Sequence, residues 1–203
     1  MELTVELVGR VVVVACALSL LAFGLSILIV ERLGRRSAPV ERETGPLALV
    51  NYVGILGFVV VALLSAVTML GTIPAPSGPL FTVAVVVGIA LLVMGGLMAF
   101  WGYRSLGRSF SSEAEVRQDT VLVTTGAFGL VRHPMYLAVL LLWAGSALAL
   151  ASPLMAICCV VLLPAFVARS RAEERLLTRH FGSAYDAYAA RVPMLVPGWP
   201  MHG

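Results

Sequence analysis

The chain has 203 residues, of which 60% are hydrophobic and only 12% are charged, and its mean hydropathy is +0.97. An ordinary soluble domain carries about 25% charged residues, and a soluble fold of this size cannot hide so much apolar surface from water. The composition therefore argues against a soluble enzyme, a disordered tail and a nucleic-acid-binding module. The fourteen basic residues are all arginine, and they lie in clusters between long uncharged runs.

Four apolar stretches predict an all-α integral membrane protein with about five transmembrane helices. About 20 apolar residues are needed to cross a bilayer as a helix, and residues 11–30, 47–72 and 80–101 meet this length. The fourth stretch, 135–167, is too long for one crossing and short for two. Because Ser152 and Pro153 in its middle favour a helix start, we predict a helical hairpin over roughly 134–150 and 153–168.

The arginines predict the orientation, since cytoplasmic loops are rich in positive charge. Thirteen of them fall in loop 31–46, segment 102–133 and the tail after the hairpin, and only Arg10 lies elsewhere. Five crossings place the thirteen together if the N-terminus is outside and the C-terminus is cytoplasmic. The expected location is the bacterial inner membrane, and Glu2 and Glu6 fit poorly with a cleaved signal peptide, which begins with positive charge.

These assignments divide the chain into two parts. Residues 1–101 form three transmembrane helices with the cytoplasmic loop 31–46. Residues 102–203 comprise the cytoplasmic segment 102–133, the hairpin 134–168 and the C-terminal cytoplasmic segment 169–203. Because both cytoplasmic segments flank the hairpin, they must meet at its base. The cysteines Cys16, Cys158 and Cys159 lie inside apolar runs, which indicates small buried side chains, with neither a disulfide framework nor a metal site.

The first candidate site motif is Arg132-His133-Pro134-Met135-Tyr136. Proline starts the following helix, whose first amides lack partners and carry the positive end of the helix dipole. With Arg132 beside them, these amides form an anion site to which His133 and Tyr136 add hydrogen-bonding groups. The alternative is an ordinary helix start, with arginine and tyrosine as anchors at the membrane interface.

The second motif centres on two adjacent carboxylates. Helical spacing pairs Glu173 with Arg169, whereas Glu174 has only the neutral Ser170 and Thr178 four residues away. Glu174 therefore either binds a cationic group or is simply solvated, and a solvated face is the more frequent outcome.

A short helix is predicted after the carboxylates. Gly182 is expected to cap the preceding helix, and Ser183 with Asp186 resembles a capping box for the next one. Tyr185 and Tyr188 on that helix either line a pocket for a ring or pin the helix at the interface.

The third motif joins residues 106–110 to residues 121–128. The second half has β-like composition with a glycine turn, and its backbone could lie against a ligand. The sequence lacks a Gly-x-Gly-x-x-Gly pattern, so nothing favours a Rossmann-type cofactor domain.

Together and in this order, the motifs resemble the isoprenylcysteine carboxyl methyltransferase family and its phospholipid N-methyltransferase relatives. The resemblance covers roughly residues 100–197. The matching features are Leu106-Gly107-Arg108-Ser109-Phe110, residues 122–128, Val131-Arg132-His133-Pro134-Met135-Tyr136, Glu173-Glu174-Arg175-Leu176-Leu177, Phe181-Gly182, Tyr185-x-x-Tyr188 and Arg191-Val192-Pro193.

The resemblance implies methyl transfer from S-adenosylmethionine to a lipophilic acceptor at the cytoplasmic face, with membrane lipids as surroundings and no metal or nucleic acid. The acceptor group would be an isoprenylcysteine-like or other lipid carboxylate, a thiol, an amine or a hydroxyl. The implied catalytic residues are Arg132, His133 and Arg191. The implied cofactor-binding residues are Val123, Gly126, His133, Pro134, Tyr136, Leu137, Glu173, Glu174, Tyr185 and Tyr188.

Two alternatives stay open at this point. An NADPH-dependent sterol-type reductase has a similar Arg-His-Pro-x-Tyr pattern, although such chains are generally much longer. A non-catalytic membrane subunit could also retain the fold, whereas a transporter would be expected to place ionisable residues within the membrane. The oligomeric state is also open, because small residues such as Gly54, Gly57, Gly95 and Gly96 allow helices to pack closely within or between chains.

Overall fold

A computed structural model describes residues 78–106 and 121–198, the backbone of residues 39–42 and 115–117, and positions 11, 56, 57, 59, 60 and 64. The elements in chain order are β1 (Pro39–Arg42), α1 (Pro79–Leu106), β2 (Glu115–Arg117), a 3₁₀ helix (Gly126–Gly129), α2 (Pro134–Ala149), α3 (Pro153–Phe181) and α4 (Ser183–Ala189). The described part is therefore mainly helical, as predicted, with one small sheet that the all-α prediction lacked.

Two of the described helices, α1 and α3, are long and apolar enough to cross a bilayer. α1 matches the predicted stretch 80–101. α2 has 16 residues, which is shorter than the roughly 20 needed for a full crossing. The predicted stretches 11–30 and 47–72 lie outside the described residues, apart from the isolated positions.

Glycines bring the backbones of α1 and α2 into contact. A Cβ atom built on Gly88 would lie 2.7 Å from the carbonyl oxygen of Gly145, and one on Gly145 would lie 2.7 Å from that of Gly88. A Cβ on Gly95 would lie 3.0 Å from the carbonyl oxygen of Ala138. Close approach of this kind maximises van der Waals contact between apolar helices. Gly95 therefore packs within the chain, whereas a Cβ on Gly96 would meet nothing within 4 Å.

The turn of the hairpin forms as predicted. Ser152 caps α3, its side chain accepting a hydrogen bond of 3.4 Å from the amide of Met155, and Pro153 occupies the first helical position. Met155 is buried with Trp143 and Leu142 in an apolar cluster. The turn thus fixes α3 against α2 at the end of the hairpin away from the cytoplasmic motifs.

α3 is much longer than the predicted leg 153–168. It continues through Pro164 to Phe181 and ends at Gly182, which has a φ of 53°. The extra turns consist mostly of arginine, alanine, glutamate and leucine, which are strong helix formers. The prediction that Gly182 ends the helix is confirmed, and both carboxylates of the second motif lie on the same rigid helix as the apolar leg.

Two local predictions were wrong. Residues 121–128 form no strand, because Gly126 takes a φ of 64° and the chain turns into the 3₁₀ helix. Ser183 does not form a capping box, because it is already the first residue of α4 and Gly182 is the N-cap. A single residue separates α3 from α4, so Gly182 has to serve both helix ends.

The two strands pair across a long sequence separation. β1 and β2 are antiparallel, with Arg42 opposite Glu115 and Pro39 opposite Arg117, and the register shifts between Pro39 and Glu41. β1 belongs to the loop 31–46 and β2 to the segment 102–133. Backbone pairing therefore brings these two segments of the chain together.

The glycine contact gives a stability prediction. Gly88→Ala places a methyl group 2.6 Å from the amide nitrogen of Ala149, and backbone cannot move aside cheaply. We expect a loss of about 1–3 kcal/mol in unfolding free energy, measured by thermal unfolding of the detergent-solubilised chain. The control Gly96→Ala points into open space and should leave stability unchanged or raise it by up to about 1 kcal/mol. An equal change in unfolding free energy for the two variants would contradict the close contact between α1 and α2.

Candidate functional site

The start of α2 is held by the C-terminal segment of the chain. The amide of Arg132 donates to the carbonyl of Pro193 at 2.8 Å, and the amide of His133 donates to that of Met194 at 3.1 Å. Met194 is buried with Tyr136 in an apolar cluster. Residues 132–133 and the C-terminal segment therefore meet at the base of the hairpin, as the sequence predicts.

The guanidinium of Arg132 connects three parts of the chain. Its Nε donates to Glu174 Oε1 at 2.7 Å, and its Nη1 donates to the carbonyls of Ala189 and Val192 at 2.6 and 2.9 Å. The residue is only 8% exposed. These contacts fasten α2 to α3 and to the end of α4. In this arrangement Arg132 holds the chain together and is not available as a bidentate ligand for a substrate carboxylate.

His133 lies between the two carboxylates. Its Nε2 is 3.2 Å from Glu174 Oε1, and its Nδ1 is 3.4 Å from Glu173 Oε2. Only the protonated imidazole has an N–H on both nitrogens, so the two carboxylates favour that form. Burial alone would lower the pKa of His133, but the hydrogen bonds and charges of Glu173 and Glu174 outweigh burial and raise it above 6.5.

Glu173 is fixed by a second set of contacts. The hydroxyl of Tyr136 donates to Glu173 Oε1 and accepts from Arg169 Nε at 2.7 Å. Arg169 Nε also lies 3.4 Å from Glu173 Oε1, the predicted pairing one turn apart on α3. The ring of Tyr136 is stacked between those of His133 and Phe166. Sequence reasoning found the Arg169–Glu173 pair but did not place Arg169 in the site, although its position after an apolar helical run was a signal of burial.

Six residues thus form one hydrogen-bonded network, which we call the hairpin-base cluster: Arg132, His133, Tyr136, Arg169, Glu173 and Glu174. Its cationic side chains are 7% exposed or less, whereas Glu173 and Glu174 are 20% and 17% exposed. The part of the cluster that a ligand can reach is therefore mainly anionic. Glu174, expected to be solvated or to bind a cation, is instead bonded across the chain to Arg132 and His133.

Two buried tyrosines lie on α4, with ring centroids 5.8 Å apart. The hydroxyl of Tyr188 donates to the carbonyl of Phe128 at 2.7 Å, while the buried hydroxyl of Tyr185 has no hydrogen-bond partner among the described residues. Burial, together with the charge of Glu174, raises the pKa of both phenols well above 10. Both hydroxyls therefore remain proton donors at physiological pH.

The remaining predicted site residues are not members of the hairpin-base cluster. Pro134 starts α2, and the amide of Leu137 bonds to the carbonyl of His133 at 3.1 Å. Val123 is half-buried and Gly126 is exposed, both on the segment that leads into the 3₁₀ helix. Arg191, which follows α4, is exposed, and its Nε donates to the carbonyl of Ala187 in that helix at 3.0 Å.

The protonated state of His133 predicts a pH-dependent stability. Because its folded pKa is raised, the stabilisation is fully present below the ordinary value near 6.5 and is lost as pH rises through the folded value. We expect the unfolding temperature to fall as pH rises above about 6.5, the ordinary histidine value, and through the raised folded pKa, measured by circular dichroism. His133→Gln should flatten this profile, while the control His180→Gln, which changes an exposed ring, should not. A His133→Gln profile as steep as that of the wild type would contradict the assignment.

The comparisons with known proteins fall on this same region. A family model described as phospholipid methyltransferase matches residues 83–184, which is half of the chain and includes most of α1, all of α2 and α3, and the cluster. The chain is 34% identical over 113 residues to protein-S-isoprenylcysteine O-methyltransferase B of Arabidopsis thaliana, covering 54% of this chain and 57% of that protein.

Two further relatives match over the same extent. Protein-S-isoprenylcysteine O-methyltransferase of Saccharomyces cerevisiae is 33% identical over 115 residues, which are 55% of this chain and 48% of that protein. A probable protein-S-isoprenylcysteine O-methyltransferase of Oryza sativa subsp. indica is 29% identical over 114 residues, which are 55% and 60% of the two chains. The matched segment spans about half the length of these curated relatives. Because this family model matches half of its residues, the chain belongs to the phospholipid methyltransferase family.

Proposed function

We propose that the chain is an integral membrane methyltransferase that uses S-adenosylmethionine and a lipophilic acceptor at the cytoplasmic face. The observation that carries the proposal is the hairpin-base cluster. It presents two carboxylates, Glu173 and Glu174, inside the segment matched by the methyltransferase family. The names of the matched relatives give methyl transfer to oxygen as their reaction.

The residues of the site fit the chemical groups of this donor. Its ammonium group matches the partly exposed carboxylates of Glu173 and Glu174. Its carboxylate matches the start of α2, where the first amides lack helical partners and His133 supplies no side-chain cap. A buried hydroxyl without a partner costs about 1–3 kcal/mol, and Tyr185 carries such a hydroxyl. A bound polar ligand that pairs with it would remove this cost.

The chain's own contribution is to bind, orient and keep water away. When bound, S-adenosylmethionine supplies an electrophilic methyl group on a positively charged sulfur. In-line transfer of that group requires alignment of the two reactants, and no nucleophilic side chain. The network from Arg132 to Glu174 holds the carboxylates in fixed positions for this purpose. The role of the cluster is therefore to hold Glu173 and Glu174 where they can orient the bound methyl donor.

The state of His133 favours one acceptor chemistry. An amine acceptor must lose a proton, which requires a general base. Both nitrogens of His133 face carboxylates, whose hydrogen bonds and charges raise its pKa and favour the protonated ring, which cannot accept a proton. A carboxylate acceptor needs no proton removed. We therefore infer a lipid carboxylate as the acceptor, in keeping with the O-methyltransferase names of the relatives.

The wider architecture is proposed from the sequence. We place the N-terminus outside and the C-terminus in the cytoplasm of a bacterial inner membrane, with residues 1–101 as three transmembrane helices and 102–203 as the methyltransferase core. The pairing of β1 with β2 supports a common side for the loops that contain them.

A binding experiment separates this function from the reductase. We expect the detergent-solubilised chain to bind S-adenosylhomocysteine with micromolar affinity and not NADPH, whose phosphates would be repelled by the exposed carboxylates. Glu174→Gln should weaken S-adenosylhomocysteine binding about tenfold or more, a change of about 1.4 kcal/mol, measured by calorimetry. The control Arg171→Gln alters an exposed arginine on α3 and should bind like the wild type. Preferential binding of NADPH, or no cofactor binding, would refute the proposal.

The two tyrosines provide a matched pair of variants. Tyr185→Phe removes a buried hydroxyl that has no partner among the described residues, so the stability of the free protein should stay the same or rise by up to about 1–3 kcal/mol, while S-adenosylhomocysteine affinity falls about fivefold to tenfold. Tyr188→Phe removes the bond to Phe128 and should cost about 1 kcal/mol of stability. Thermal unfolding and calorimetry on both variants check this. An unchanged affinity of Tyr185→Phe for S-adenosylhomocysteine would show that the Tyr185 hydroxyl does not contact the donor.

A further inference from the structure

The outer surface of α1 carries a groove of about 600 Å³, a volume in the usual range for small-molecule sites, about 300–1,000 Å³. Most of its lining is apolar and comes from Met94, Leu97, Met98, Phe100 and Trp101. At one end the lining becomes polar, with Arg104 and Ser105. The groove therefore has a long apolar part and a single cationic end, which is the pattern of a lipid with one acidic head.

The cationic end is positioned where the helix leaves the apolar stretch. Arg104 lies in the last turn of α1, and its guanidinium carbon is 5.7 Å from the centre of the Phe100 ring. This contact orients the exposed guanidinium along the groove. An arginine in this position can pair with a carboxylate through two parallel hydrogen bonds.

The same end of the groove is joined to the tyrosines of the proposed donor site. Ser105 Oγ accepts a hydrogen bond of 3.2 Å from the amide of Ala127, in the 3₁₀ helix. A Cβ on Gly126 would collide with Ser105 and lie 3.6 Å from Trp101 Nε1, so the 3₁₀ helix packs directly on the groove. In the same helix, the carbonyl of the next residue, Phe128, accepts a hydrogen bond of 2.7 Å from the hydroxyl of Tyr188. The 3₁₀ helix therefore contacts both the groove, through Ser105, and Tyr188 of α4.

A cationic side chain would position the acceptor carboxylate for the proposed reaction, and both candidates named from the sequence already make other contacts. Arg132 bonds to Glu174 and two carbonyls, and Arg191 bonds back to Ala187. We propose that the groove binds the hydrocarbon chain of the acceptor, a single-chain lipid with a terminal carboxylate, and that Arg104 pairs with that carboxylate. This inference rests on the proposed function, which assigns residues to the methyl donor, and it adds the residues that bind the acceptor.

The chemistry gives the groove a preference for substrate over product. A carboxylate oxygen of the acceptor forms the new C–O bond as the C–S bond of the donor breaks, and the negative and positive charges disappear together without any proton transfer. The product is a neutral ester, which no longer pairs with Arg104. Binding of the acid should therefore depend on Arg104, and binding of its methyl ester should not.

Photolabelling tests the groove without relying on turnover. The full chain is reconstituted in phosphatidylcholine vesicles, labelled with a hexadecanoic acid that carries a diazirine on its chain, and mapped by mass spectrometry. We expect labels on residues 94–105, with free hexadecanoic acid competing about tenfold better than its methyl ester, a difference of about 1.4 kcal/mol. Leu97→Trp, which fills the groove, should lose most of the label, and Arg104→Gln should abolish the preference for the acid.

Matched controls identify groove-specific effects. Val86→Trp changes an exposed apolar residue on α1 outside the groove lining, and Arg171→Gln removes an exposed arginine elsewhere, so both should label like the wild type. Labelling that survives in Leu97→Trp, or a preference for the acid that survives in Arg104→Gln, would overturn the proposal. Equal competition by phosphatidylglycerol would also overturn it by assigning the groove to bilayer lipid.

Calorimetry on the same samples separates the two proposals. The groove variants should bind S-adenosylhomocysteine like the wild type, because the groove and the donor site use different residues. If the wild type labels as expected but binds no S-adenosylhomocysteine, the proposed function fails while the lipid groove stands. If it binds S-adenosylhomocysteine but residues 94–105 take no label, the groove assignment fails alone.

Discussion

The buried ion pair between Arg132 and Glu174 is the interaction on which the rest of the site depends. The guanidinium also holds the carbonyls of Ala189 and Val192, so one side chain joins α2, α3 and the chain after α4. Glu174 is partly exposed, but Arg132 is only 8% exposed, so removing the carboxylate would leave a nearly buried cation without its charge partner. The order of the C-terminal segment and the placement of the carboxylates therefore depend on the same contact.

The cluster shows how a charged site can persist beside an apolar hairpin. Arg169 is fully buried, which is tolerable because Tyr136 and Glu173 lie against its guanidinium. The cations face inward and the carboxylates are the more exposed members, so the protein has already offset most of the charge before any ligand arrives. A ligand with an ammonium group can then add to the outer side of Glu173 and Glu174 without breaking the inner contacts.

Much of the site was predictable, because its residues occur in short motifs near helix ends. The helix start at Pro134, the cap at Ser152 and the stop at Gly182 depend on local chemistry, and all three are seen in the structure. The partners of Glu174 could not be read from the sequence, since Arg132 is 42 residues away and only the tertiary fold joins them. The sheet was missed for the same reason: its strands are short and far apart, and neither carries a clear alternating pattern.

The turn between α2 and α3 has a consequence for the shape of the membrane domain. α2 has 16 residues and is about 24 Å long at 1.5 Å per residue, less than the roughly 30 Å of hydrocarbon. The turn satisfies its own backbone: the amides of Ala151 and Ser152 donate to carbonyls of α2, and Ser152 caps α3. A turn that needs no water can end inside the hydrocarbon layer. The charged side chains of the hairpin are all gathered at the other end, at the start of α2 and on the second half of α3.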